Sequence, residues 1–276
     1  MRIGAMDCNP LFCYDFLMIG FLIKKTLYDL WDNMFKIVLF NLGFYICTAV
    51  LLLPTLLPNV FGSNPLIIAF AVLGTLICSI YLAAVSLTIK SISDYGTFTF
   101  KDFLTNIKPA LPSGIAMFLF LFIIYIVISI VIPFYAGMAS VVGLILTALL
   151  VWVVIFAFLS FQFYFPVYAR LGMNLKKSFK KCMLISLDNT GMAIFLLIHN
   201  ILALLISVVF VFMFPGPVGV LLYLDEALRL RLLKYDYLEA NPEANRKKIP
   251  WDALLIEERE KTGNRTLRNF IFPWKD

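Results

Sequence analysis

Three stretches of this chain, residues 37–89, 109–169 and 189–224, contain no Asp, Glu, Lys or Arg. A bilayer core takes about 20 apolar residues per helix, so the first two stretches each have room for a pair of crossings. A water-soluble fold cannot hide them. Hydrophobic residues make up 62% of the 276-residue chain and charged residues 14%, whereas soluble domains run at roughly 45–50% and about 25%. The expected fold class is all-α, a polytopic membrane helical bundle.

The charges lie in blocks between those stretches. Lys and Arg number 4 before Ile37, 3 between Lys90 and Lys108, 5 between Arg170 and Lys181, and 11 from Arg229 onward. Cytoplasmic loops of membrane proteins carry such an excess of positive charge. If every block stays on one side, the chain has six transmembrane segments: Ile37–Leu57, Pro65–Ile89, Ser113–Ile132, Ala139–Phe165, Met192–Phe214 and Val218–Tyr235. Residues 1–36 then form a cytoplasmic or interfacial start, 37–235 the transmembrane domain and 236–276 a cytoplasmic tail. The expected location is a bacterial cytoplasmic membrane with both termini inside. The net charge of +6 reads as this bias and points to anionic lipid headgroups as a partner. No soluble face interleaves bases with aromatics, so nucleic acid is not an expected partner.

A repeat runs through the pattern. Phe100, Phe103, Leu104 and Ile107 share one helical face before the entry Ser113–Phe118. Leu175, Phe179, Cys182, Met183 and Leu187 do so before the similar entry Thr190–Phe195, with Lys176, Lys177, Lys180 and Lys181 on the other face. Prolines at Pro54, Pro133 and Pro215 are expected to end the outward helices. The unit would be an interfacial amphipathic helix plus a helical hairpin, used three times. Repeats of this kind recur in transporters.

Catalytic signatures are absent: there is no GxSxG, HExxH, P-loop or Gly-rich dinucleotide turn. No enzyme activity and no cofactor is expected. Five cysteines without a CxxC pair, with one His in the chain, read as structural thiols, and no metal site is expected. Two polar groupings inside the apolar segments stand out. Asp225 and Glu226 precede Arg229 in the sixth segment, and Asp225 and Arg229 are spaced to neutralise each other one turn apart. The grouping is either a polar pathway or an internal ion pair. His199 and Asn200 in the fifth segment share a depth with Asn41 in the first. They are either a proton route or hydrogen-bonding links between helices.

In the tail, Pro250 opens a short helix with Trp251, Leu254 and Leu255 on one face, and Gly263–Asn264 stops it. Trp251 and Trp274 either dock locally or bind a partner. Asn264–Arg265–Thr266 matches a glycosylation acceptor, but a cytoplasmic tail would not meet the enzyme.

The chain resembles the YesL-like family of small bacterial membrane proteins. The resemblance lies in Asn9–Pro10–Leu11–Phe12, Asn41–Leu42, Leu53–Pro54–Thr55, Phe100–Lys101–Asp102–Phe103, and Arg170 followed by Leu175–Lys176–Lys177–Ser178–Phe179. It covers roughly residues 9–235 and implies a six-helix protein associated with carbohydrate uptake, with no catalytic residues to carry over. The expected function is a non-enzymatic accessory or scaffold to membrane transport or envelope sensing, partnered by a membrane transporter or a second copy. The alternative is a small-solute or ion transporter working through Asp225, Glu226 and His199.

Overall fold

A computed structural model of the chain describes residues 10–56, 64–138, 140–172, 174–246 and 249–263. Every regular element among the described residues is helical. The chain divides into two compact units, one of Met34–Asp225 and one of Met1–Asn33 with Glu226–Asp276.

The larger unit begins with helices α2 (Met34–Leu56), α3 (Asn64–Ser93) and α4 (Phe100–Ile126). A π-wound turn, Val127–Val131, links α4 to α5 (Ile132–Ala136). Then come α6 (Val141–Phe161), α7 (Tyr164–Arg170), α8 (Leu175–Asp188) and α9 (Thr190–Val209). The first turns of α10 (Gly216–Ala240) close the unit. α3 lies against α2, α4 and α7, and its small residues Ala83 and Ala84 are buried. Beside them Phe40 meets Phe98 and Phe103 at ring separations of 5.5 and 5.1 Å.

Five helical stretches are long and apolar enough to cross a membrane: Met34–Pro54, Pro65–Ser93, Phe100–Ala136, Val141–Arg170 and Thr190–Val209. Most of the large side chains that these stretches leave outside are apolar, among them Trp152 (70% exposed) and Val209 (78%), and the exposed Lys101, Asp102 and Lys108 lie at the start of the third. The apolar part is the surface lipid requires. The expected sixth segment does form a helix, α10. It is not among the five, because Asp225, Glu226, Arg229 and Arg231 fall along it.

Two expected boundaries move. The amphipathic stretch before Ser113 is not a separate helix but the first turns of α4, started by a capping box in which Thr99 and Asp102 bond each other's backbone N–H. Pro109 and Pro112 sit inside α4 without ending it. The carbonyls they deprive of a partner, those of Thr105 and Lys108, belong to exposed residues, so the missing bonds cost little. Pro133 likewise fails to stop its helix. The wider winding before it restarts the chain as α5, with Pro133 in the first positions, where no N–H is needed. By contrast α8 and α9 are separate, broken at Asn189. The last two copies of the expected repeat therefore differ at this junction.

The smaller unit contains α1 (Pro10–Asp32), the remainder of α10, α11 (Trp251–Leu254) and α12 (Ile256–Thr262). The helix expected at Pro250 is present in two short pieces, and Gly263 follows it with φ 77°, a left-handed conformation that glycine adopts freely. α11 packs on α1, and Ile249, Trp251 and Leu255 are buried. The Arg231 guanidinium lies 5.9 Å from the Trp251 ring centre. Trp251 therefore docks locally within this unit. Trp274, the acceptor triplet from Asn264 and the first outer turn around Pro58 lie outside the described residues.

Candidate functional site

The charged residues near the apolar segments are partnered, though not as their spacing suggested. Asp225 is fully buried and does not pair with Arg229 one turn away. Its partner is Arg170, the last residue of α7. Arg170 Nε donates to Asp225 Oδ1 at 2.8 Å, and Nη2 donates to Oδ2 at 2.5 Å. The same guanidinium donates to Asp94 Oδ1 at 3.0 Å and to Ser93 Oγ at 2.8 Å. A planar fork of N–H groups fits this task, because it grips one carboxylate with two bonds and has donors to spare. The result joins the end of α3, the end of α7 and α10 at one point.

Arg229 instead donates from Nη2 to Glu258 Oε1 at 2.8 Å, within the smaller unit. Glu226, also in that unit, faces α1. Its carboxylate accepts from the Thr26 hydroxyl and from Lys25 Nζ at 3.4 Å, and Lys25 also donates to Asp29. Lys25 and Glu226 are each 1% exposed. Two adjacent acidic residues thus serve two separate ion-pair clusters. Nothing in the local spacing marked Arg170 or Lys25 as the partners. The available hint was position, since Arg170 is the first charge after the long uncharged run and Asp94 is the first acidic residue after the one before it.

Asn41 is buried in α2 and clasps the turn between α9 and α10. Its Nδ2 donates to the Met213 and Pro215 carbonyls, both at 2.9 Å, and its Oδ1 accepts from the Val218 N–H at 3.0 Å. Tyr45 one turn later donates its hydroxyl to the Phe212 carbonyl at 2.7 Å. Gly216 has φ 62° and lies so close that a side chain there would strike the Asn41 amide. Val211 and Phe212 also have positive φ, at 50° and 57°. Residues of this kind hold such angles only where neighbours over-determine them. Asn41 lies at the eighth position of α2, and at about 1.5 Å per residue the far end of α2 is about 22 Å beyond it. The α9–α10 turn is therefore met in the first half of α2.

His199 stacks on Tyr223 with ring centres 3.7 Å apart and an interplanar angle of 15°. Asn200 beside it is buried. Asn41 bonds the turn, and no bond of Asn41 reaches His199 or Asn200 among those described. The two polar groupings are separate places on the α9–α10 hairpin. Replacing Asn41 with Leu should therefore strand the Met213 carbonyl and the Val218 N–H, while the Pro215 carbonyl keeps the Gly219 N–H. At about 1–3 kcal/mol for each buried group left unsatisfied, the thermal transition in detergent should fall clearly, while a Leu42 substitution on the exposed side should leave it in place.

α8 carries Lys176, Lys177, Lys180 and Lys181, all exposed. Its buried stripe is Ser178, Cys182, Ile185 and Ser186. Met183 and Leu187, expected on the inner face, are exposed with Leu184. The outward surface thus runs from four ammonium groups in the first half of the helix to hydrocarbon in the second. Small serines let α8 lie close to its neighbours, which is why the buried face is not the most apolar one. Among the described residues no cluster of three or more His, Cys, Asp or Glu could hold a metal. Comparison with protein-family models, with curated proteins and with solved structures finds no match.

Proposed function

We propose that this chain is a non-enzymatic integral protein of a bacterial cytoplasmic membrane, with both termini inside, acting as an accessory or scaffold to membrane transport or envelope sensing. The observation that carries the reading is how the buried charges are used. Asp225 and Glu226 each bind fixed cations and hydroxyls rather than standing open along a route. Ion pairs of this kind hold helices in register. A transport pathway through Asp225, Glu226 and His199 draws less support, since the three residues belong to different contacts.

The outward surface of α8 supports the same reading. Lysines beside exposed Met183, Leu184 and Leu187 suit a helix lying where anionic headgroups meet acyl chains. Its partners would be those lipids and a membrane transporter or a second copy of the chain. The resemblance to the YesL-like family points the proposal toward carbohydrate uptake.

The test has two arms. Purified protein in liposomes should carry no ion or sugar flux, and photo-crosslinkers at positions 177 and 181 in native membranes should capture a multi-pass transport protein. Flux that Asp225→Asn weakens would replace this reading with the transporter.

A further inference from the structure

Two of the cysteines occupy corresponding places on neighbouring helices. On α2, Gly43, Cys47 and Leu51 follow one another at single-turn intervals along one face. On α3, Gly74, Cys78 and Tyr81 do the same. A side chain on Gly43 would strike the Tyr81 hydroxyl, and one on Gly74 would strike the Leu51 backbone at 2.7 Å. Between these two points of close approach the Thr48 hydroxyl lies 3.7 Å from the Cys78 sulfur. The Tyr81 hydroxyl donates to the Phe40 carbonyl at 2.7 Å, which fixes the same antiparallel register. Cys47 stands opposite Cys78 in that register, in the middle of the helix pair. Both are free thiols and both are half-buried.

We propose that Cys47 and Cys78 are the two donors of a binding site for thiophilic species, taking a monosubstituted trivalent arsenical or Hg2+ between α2 and α3. Thiolates are the soft ligands such species select. With an arylarsonous acid, two As–S bonds form and two As–O bonds break. The two thiol protons leave with the hydroxyls as two waters, and nothing is oxidised. With Hg2+, two Hg–S bonds form and two protons are released. Both products are electrically neutral. That matters inside an apolar helix pair, where a net charge is disfavoured, and it sets these ligands apart from Cu+, whose two-thiolate complex is an anion. Both residues are half-buried rather than fully enclosed, so a lipid-soluble reagent is the probe to use.

The cysteine on α8 does not compete on equal terms. Cys182 is fully buried on α8, and burial pushes its thiol up to about 12, which keeps it from reacting as a thiolate. A parent protein with Cys8→Ser, Cys13→Ser and Cys182→Ala isolates the pair. Phenylarsine oxide added to membranes of that parent should bind once per chain and remove two titratable thiols, and a small dithiol should restore both. In Cys47→Ser or Cys78→Ser, binding should be about 100-fold weaker or more, because one sulfur cannot chelate. A lipid-soluble oxidant should convert the parent pair into an intramolecular disulfide, seen as the loss of two hydrogens by mass. The proposal is overturned if the parent loses one thiol per arsenic, if either single variant binds as tightly as the parent, or if oxidation leaves two free thiols. The parent measurement decides the matter even where a single variant fails to fold.

Discussion

Arg170→Met is expected to abolish the folded state of the larger unit. The substitution leaves the fully buried Asp225 carboxylate without the fork that grips it. Breaking a buried pair from one side typically costs about 3–5 kcal/mol, which is a large part of the stability of most domains. Arg170→Lys should recover little of it, because an ammonium cannot span Asp225, Asp94 and Ser93 together. The informative partner is the double variant Arg170→Met, Asp225→Leu. If the pair is structural, removing both charges should restore most of the thermal stability lost in the single variant. Asp225→Asn alone should be milder, since an amide still offers an acceptor to the guanidinium. Retention of the parent's melting transition by Arg170→Met would show that the carboxylate has another partner.

Trp251→Ala should release the C-terminal segment of the smaller unit. The ring is 1% exposed, and Ile249 and Leu255 beside it are as deeply buried. Truncating a buried Trp costs about 3–5 kcal/mol, and the segment it anchors consists of two short helices with little stability of their own. Limited trypsin digestion should then cut at Arg259 and Lys261 well before any site in α10, where the parent resists. Trp251→Phe should fall between the two. Equal cleavage rates in parent and Ala variant would mean that Glu258, bound to Arg229, holds the segment without the ring.

Much of this architecture was legible from where charges are missing. The runs 37–89, 109–169 and 189–224 place the long apolar helices, and Gly263 ends the tail helix as expected. What failed were inferences from spacing alone. Asp225 and Arg229 stand one turn apart, yet each found a stronger partner elsewhere, because a bidentate contact inside a packed unit outweighs a neighbour on the same helix. Periodicity also misassigned α8. An apolar face on an interfacial helix has two suitable environments, the protein and the lipid, and the residue pattern alone does not distinguish them. Small polar residues turned inward and Met183 and Leu187 outward.

The clasp of Asn41 on the α9–α10 turn bears on the order in which the larger unit is completed. The bonds join positions 172 to 177 residues apart, so the first long apolar helix to be synthesised waits, with a polar amide unsatisfied, for the last hairpin to arrive. Truncation anywhere before Val218 should therefore leave α2 inserted but unsettled, a species for quality-control proteases to remove, and the ribosome has to finish most of the chain before its earliest crossing becomes secure.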